Sequence, residues 1–143
     1  MILLVHGPDL SQLGTRAPER YGTATIDDLV AAARQEHPDI DAFASDFEGE
    51  LVARLHAARG DGTDAVVINP GALTHYSYAL RDALEMLSVP KVEVHLTQTA
   101  AREGFRHTSV VSPVVDATIT GLGMFGYRLA VRAALHLLAE PEP

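Results

Sequence analysis

The sequence predicts an α/β domain built on a doubly wound parallel sheet, and three observations carry that expectation. Short, largely apolar runs, "ILLV" at 2–5 and "AVVIN" at 65–69, read as strands buried on both faces. Segments with apolar residues at helical spacing alternate with them. Polar side chains gather just beyond the carboxyl ends of the runs, where open α/β sheets bind ligands. The chain has 143 residues, 47% of them hydrophobic, which suits one domain over 1–143 with a sizeable core.

The elements follow in order. Ile2–Val5 is the first strand. Thr25 is a candidate N-cap for a helix whose apolar positions are Ile26, Leu29, Val30 and Ala33, and "HPD" at 37–39 ends it. "AFAS" at 42–45 reads as a short second strand. Leu51, Leu55 and Ala58 mark a helix that stops before Gly60 and Gly62. After "AVVIN" comes the loop "NPGALTH", then a helix face of Leu80, Ala83, Leu84 and Leu87. "KVEVHL" at 91–96 is a clear strand and "ATIT" at 117–120 a weaker one. Beyond Gly121 and Gly123, residues 125–139 form a long alanine- and leucine-rich helix. Five strands with about four helices suit a flavodoxin-like order. His6, Ser45, Asp46, Asn69, His75, His95 and Thr97 then lie at one rim.

Composition narrows the function. The net charge of -8 argues against a nucleic-acid partner. Cysteine is absent, which removes disulfides and thiolate metal sites and fits a cytoplasmic home. No signal peptide and no membrane span are expected. Residues 140–143 read as a short tail.

Several constellations carry chemistry, each beside a plainer reading. The connection containing "GTRAPERYG" at 14–22 is much longer than a usual loop of about 4–6 residues. It places Arg16 and Tyr21 five residues apart. A guanidinium favours a phenolate, which could abstract a proton from carbon; a packed tyrosine with a solvated arginine fits the spacing as well. In "VEVH", Glu93 and His95 share one face of a strand, as a carboxylate that orients an imidazole acid or as a polar pair at a sheet edge. "NPGALTH" offers Asn69 and His75 to a ligand, or supplies ordinary turn chemistry. In "AREGFRH", Arg102 and Arg106 would share a face if helical, either to bind a carboxylate or to pair with Glu103. His6, His75 and His95 sit on separate loops without metal-ligand spacing, and "GLGMFG" at 121–126 more simply lets the last helix approach the sheet.

Taken together, "GPDLSQLGTRAPERYG", "FEGEL", "INPGALTHYSYALRDAL", "VEVHLT", "AREGFRHTSVVSP" and "GLGMFGYRLAVRAAL" resemble the type II 3-dehydroquinate dehydratases of the shikimate pathway over nearly the whole chain. The resemblance implies a flavodoxin-like enzyme that needs no cofactor or metal and assembles as a homododecamer of trimers. It implies removal of water from 3-dehydroquinate through an enolate, by anti elimination, to give 3-dehydroshikimate. Tyr21 would be the base, activated by Arg16 on a lid over about residues 7–24, and His95 the acid, oriented by Glu93. Asn69, His75, Leu96, Thr97, Arg102 and Arg106 would contact the small anionic substrate, and Asp82 would reach a neighbouring subunit's site.

The chain departs from that pattern at defined places. Asp9 stands where the family has an enolate-side asparagine, and His6 stands where the family has another asparagine. Asp46, Phe47, Gln98 and Ala100 also differ from the common residues. An ionised Asp9 would repel a developing oxyanion, so it is a further candidate catalytic position. These departures leave two alternatives: a diverged homologue acting on another hydroxylated cyclic carbonyl acid, or an inactive assembly protein on the same scaffold.

Overall fold

The computed structural model describes residues 1–140. Five parallel strands, β1 (Ile2–His6), β2 (Ile40–Ala44), β3 (Ala65–Asn69), β4 (Lys91–His95) and β5 (Ala117–Thr120), lie in the order β2-β1-β3-β4-β5. Register is continuous through the middle: Leu4 aligns with Ala42 on one side and Val67 on the other. The expected doubly wound sheet is therefore present.

Helices cover both faces. On one side lie α2 (Ile26–Glu36) and α5 (Met124–Ala139), and on the other α3 (Glu48–Ala57) and α4 (Tyr78–Glu85). Alternation within β1 divides the core: Ile2 and Leu4 join Leu29, Ala33 and Val131, whereas Leu3 and Val5 join Leu51, Leu55 and Leu84. Every residue of β1, β3 and β4 is buried, which is why those strands read as unbroken apolar runs or carry polar residues with a purpose. Thr25 caps α2 in a full capping box with Asp28, and Gly126 of α5 is buried against Val94 and Ile119 of the sheet.

One expectation needs correction, and one open alternative is resolved. The second strand runs over Ile40–Ala44, not 42–45. It is an edge strand paired only with β1, so Asp41, Ala42 and Ala44 stay exposed and no apolar run announces it. Arg102 and Arg106 do not share a helix. Short 3-10 turns at Thr99–Ala101 and Gly104–His107 flank an extended Arg102. The connection 7–24 is not structureless either: it holds a 3-10 turn at Leu10–Gln12 and a four-residue helix, α1 (Pro18–Tyr21).

Candidate active site

The carboxyl ends of β1 and β3 meet back to back. Gly7 donates its N–H to the Asn69 carbonyl at 2.8 Å, and a Cβ on Gly7 would lie 2.3 Å from the Pro70 carbonyl oxygen. Gly71 sits at φ +61 with its absent Cβ 3.0 Å from the Pro8 carbonyl oxygen. Only glycine allows this approach. It turns the chain so that Asp9, in the left-handed region at φ 71, faces a cavity of about 130 Å³ at the sheet rim.

That cavity collects most of the residues singled out in the sequence. Asp9, Arg16 and Tyr21 line it from the loop after β1, Asn69 and His75 from the turn after β3, and His95, Leu96, Thr97, Arg102 and Arg106 from the end of β4 onward. Pro8, Leu10, Gly71, Ala72 and Thr99 complete the wall. The Arg16 guanidinium carbon lies 4.3 Å from the centre of the Tyr21 ring, and that of Arg102 lies 5.4 Å away. Arg102 also donates to the Thr97 hydroxyl at 3.2 Å. Arg106 lines the cavity and pairs with Glu103 at 2.8 Å, the ion pair of its plainer reading. That pairing holds the Glu103 carboxyl below the usual range.

Behind the wall lies a buried acid–base pair. Glu93 is wholly buried, and one carboxylate oxygen accepts from the His95 imidazole and from Thr74 Oγ1, each at 2.5 Å. Its other oxygen accepts from Ser112 Oγ at 2.6 Å. Burial pushes the Glu93 carboxyl up, but the hydrogen bonds from His95, Ser112 and Thr74 outweigh it and hold the group below the ordinary range. The edge-pair reading of Glu93 and His95 therefore fails, since β4 is interior and paired on both sides. The His95 nitrogen not bonded to Glu93 is left for the cavity, which the imidazole lines. His75 is oriented from behind through Nδ1 and the Thr108 carbonyl at 2.8 Å.

Other expected residues lie elsewhere. His6 does not reach the rim. It is buried beneath the site, stacked on Tyr127 at 5.5 Å, with both ring nitrogens unpartnered. Burial lowers its pKa to about 4. Tyr127 in turn accepts from the Asn69 amide at 3.0 Å, while Gly71 N–H donates to Asn69 Oδ1 at 3.1 Å, so the amide is fixed on both sides. Asp46 stands beside the site and accepts the Asp9 N–H at 2.9 Å, and Ser45 lies with it outside the main cavity. Asp82 is exposed on α4 and does not line the cavity of its own protomer. Sequence reasoning did not assign roles to Thr74, Ser109, Ser112 and Tyr127, whose hydroxyls serve the site only through the fold; the hydroxyl-dense stretches "THYSY" and "HTSVVSP" were the available signal. Among the described residues, no three metal-type ligands converge.

Comparison with known proteins agrees with this geometry. The model of the family described as dehydroquinase class II matches residues 1–135. The chain is 50% identical over 142 residues to a 3-dehydroquinate dehydratase of Pseudomonas savastanoi pv. phaseolicola, covering 96% of this chain and 95% of the relative. It is 49% identical over 145 residues to catabolic 3-dehydroquinase 2 of Aspergillus flavus, covering 99% and 96%. The crystal structure of a type II dehydroquinase from Butyrivibrio crossotus superposes with a TM-score of 0.91 at 40% identity, covering 94% of this chain and 96% of that one. A full-length family match, relatives near half identity and a shared fold lead to one conclusion: the chain belongs to the class II dehydroquinase family.

Proposed function

We propose that this protein is a hydro-lyase that removes water from 3-dehydroquinate to give 3-dehydroshikimate. One observation carries the reading: a tyrosine flanked by two guanidinium groups and an imidazole backed by a buried carboxylate line one cavity, together with a third arginine. Tyr21 takes a proton from the carbon next to the substrate carbonyl, and the electron pair moves onto that oxygen as an enolate. The enolate collapses, the carbon–oxygen bond of the leaving hydroxyl breaks, and His95 gives that oxygen a proton so that it departs as water. Positive charge from Arg16 and Arg102 meets the charge on the tyrosine, and arginine also suits the substrate carboxylate. Asn69, His75, Leu96, Thr97 and Arg106 complete the substrate contacts. The chemistry needs no cofactor. The test is direct: purified protein is mixed with 3-dehydroquinate and the absorbance of the conjugated product is followed. Failure to turn it over rejects the reading.

Asp9 favours a second reading, in which the same elimination serves another hydroxylated cyclic carbonyl acid. Its carboxylate lines the cavity where the developing oxyanion would gain from a neutral amide. An inactive assembly protein is disfavoured because the base and acid candidates face one cavity.

We also propose a homododecamer of trimers in which Asp82 serves a neighbouring site. Supporting it, Asp82 and Tyr78 are exposed one turn apart on α4, and Tyr76, Phe105, Met124 and Phe125 add exposed apolar surface. Light scattering checks the mass. The cysteine-free composition supports a cytoplasmic location, and among the described residues no helix is long and apolar enough to cross a membrane.

A further inference from the structure

A second, rear cavity of about 120 Å³ shares His75, His95, Thr99 and Arg106 with the front one and is lined largely by hydroxyls, among them Thr74, Ser109, Ser112 and Thr118. The hydrogen bonds around it have a forced direction. Ser109 Oγ accepts the backbone N–H of Val111 at 3.1 Å and of Ser112 at 2.9 Å, which occupies both of its lone pairs. Its single proton is then free only for Thr74 Oγ1, 2.7 Å away. Thr74, having accepted there, donates its own proton to Glu93. On the other oxygen, Ser112 accepts from Thr118 at 3.3 Å and donates to Glu93. Each hydroxyl proton thus points toward the carboxylate, which has only acceptor work to do.

We propose that Ser109 is a positioning residue which, acting through Thr74 alongside Ser112, keeps Glu93 ionised so that the proton of the Glu93–His95 pair stays on the imidazole, where it can be given to the leaving hydroxyl. Ser109 does not line the front cavity, and its influence passes through two hydrogen bonds. The inference rests on the reading of His95 as the acid.

A proton shared between two groups this close belongs to the pair rather than to either one. Both the protonated working form, imidazolium with carboxylate, and the deprotonated form contain ionised Glu93. Taking a donor away from Glu93 makes the carboxylate hold the shared proton more firmly and draws it off the imidazole. Turnover falls, while loss of the proton from the pair moves to higher pH. The other charged or titratable groups around the pair are His75, Arg106 and His107 on the rear cavity and Asp9, Arg16, Tyr21 and Arg102 on the front. None of them bonds to Ser109 or Thr74.

The test is the pH profile of kcat for Ser109→Ala and Thr74→Val, with Ser109→Thr as the hydroxyl-restoring control. Thr74→Val removes a hydrogen bond to Glu93 itself and is expected to lower kcat about fivefold to tenfold and to shift the alkaline limb upward by about half a pH unit to one unit, while Ser109→Ala, which leaves the Thr74–Glu93 bond in place, should move both in the same direction by less. KM should stay within about twofold and Ser109→Thr should restore both, because Ser109 makes no substrate contact in this reading. Infrared spectra of Thr74→Val should gain a protonated-carboxyl band that Glu93→Gln removes. A fall in kcat with the limb unmoved or moved downward overturns the proposal and leaves Ser109 a packing residue. His95→Asn in the same series separates the two levels: if it keeps turnover and the same limb, the acid assignment itself is wrong.

Discussion

Tyr21 and His95 approach one cavity from opposite directions in sequence, the first on a loop helix, the second at a strand end. In the proposed elimination one is the base and the other the acid, and single substitutions separate the two roles. Tyr21→Phe keeps the ring between the arginines but removes the proton acceptor, so kcat should fall about a thousandfold with KM within a few fold. Steady-state kinetics with 3-dehydroquinate checks this, and a Tyr21→Phe enzyme of ordinary kcat would remove the base assignment. Asp9→Asn replaces a carboxylate on the cavity wall by the amide of the family pattern and should raise kcat/KM several fold. If it instead abolishes turnover, the carboxylate has been adopted by this chain's own chemistry. At this scale most of the site was legible, because strand alternation and loop position follow from sequence. Glu93 could be paired with His95 on paper since i and i+2 share a face. Thr74, Ser109 and Tyr127 could not, because their contacts span 19 to 58 positions of sequence and depend on how strands align.

Elements succeed or fail in the sequence according to how much of their environment they carry with them. Interior strands and the Thr25 cap are local signals, and both are found where the sequence places them. Thr25→Ala removes the hydroxyl that accepts the Asp28 N–H and should cost about 1 kcal/mol, measured by chemical denaturation. The edge strand β2 begins two residues and ends one residue before the expected span because an exposed strand lacks an apolar pattern, and the arginine segment is left open in the sequence because its spacing alone does not distinguish an α-turn from two 3-10 turns. Gly7 shows the converse, a residue whose need is created wholly by a distant loop. A methyl group there would lie 2.3 Å from the Pro70 oxygen. Gly7→Ala must therefore push the β1 and β3 loops apart and disturb both Asp9 and Asn69, so activity should fall more steeply than thermal stability.

For the whole molecule, pH couples folding to a residue that never meets substrate. Burial lowers His6 from 6.5 to about 4 in the folded chain, so between those values the unfolded chain binds the extra proton. Stability from the neutral, buried ring is complete above about pH 6.5 and is lost as pH falls toward 4, with a span of about 3 kcal/mol. His6→Asn should flatten that acid limb in denaturation curves measured between pH 7 and pH 4. Assembly belongs to this scale as well: Asp82→Ala should lower turnover while leaving each protomer folded if a neighbour's site depends on it, which circular dichroism and kinetics together resolve. The most direct measurement is the rise in product absorbance when the native protein meets 3-dehydroquinate, run beside His95→Asn. Rapid turnover by the native chain, reduced at least a hundredfold in the variant, is the expected result. No turnover by the native chain, or equal rates in the two, contradicts the elimination assigned to this cavity.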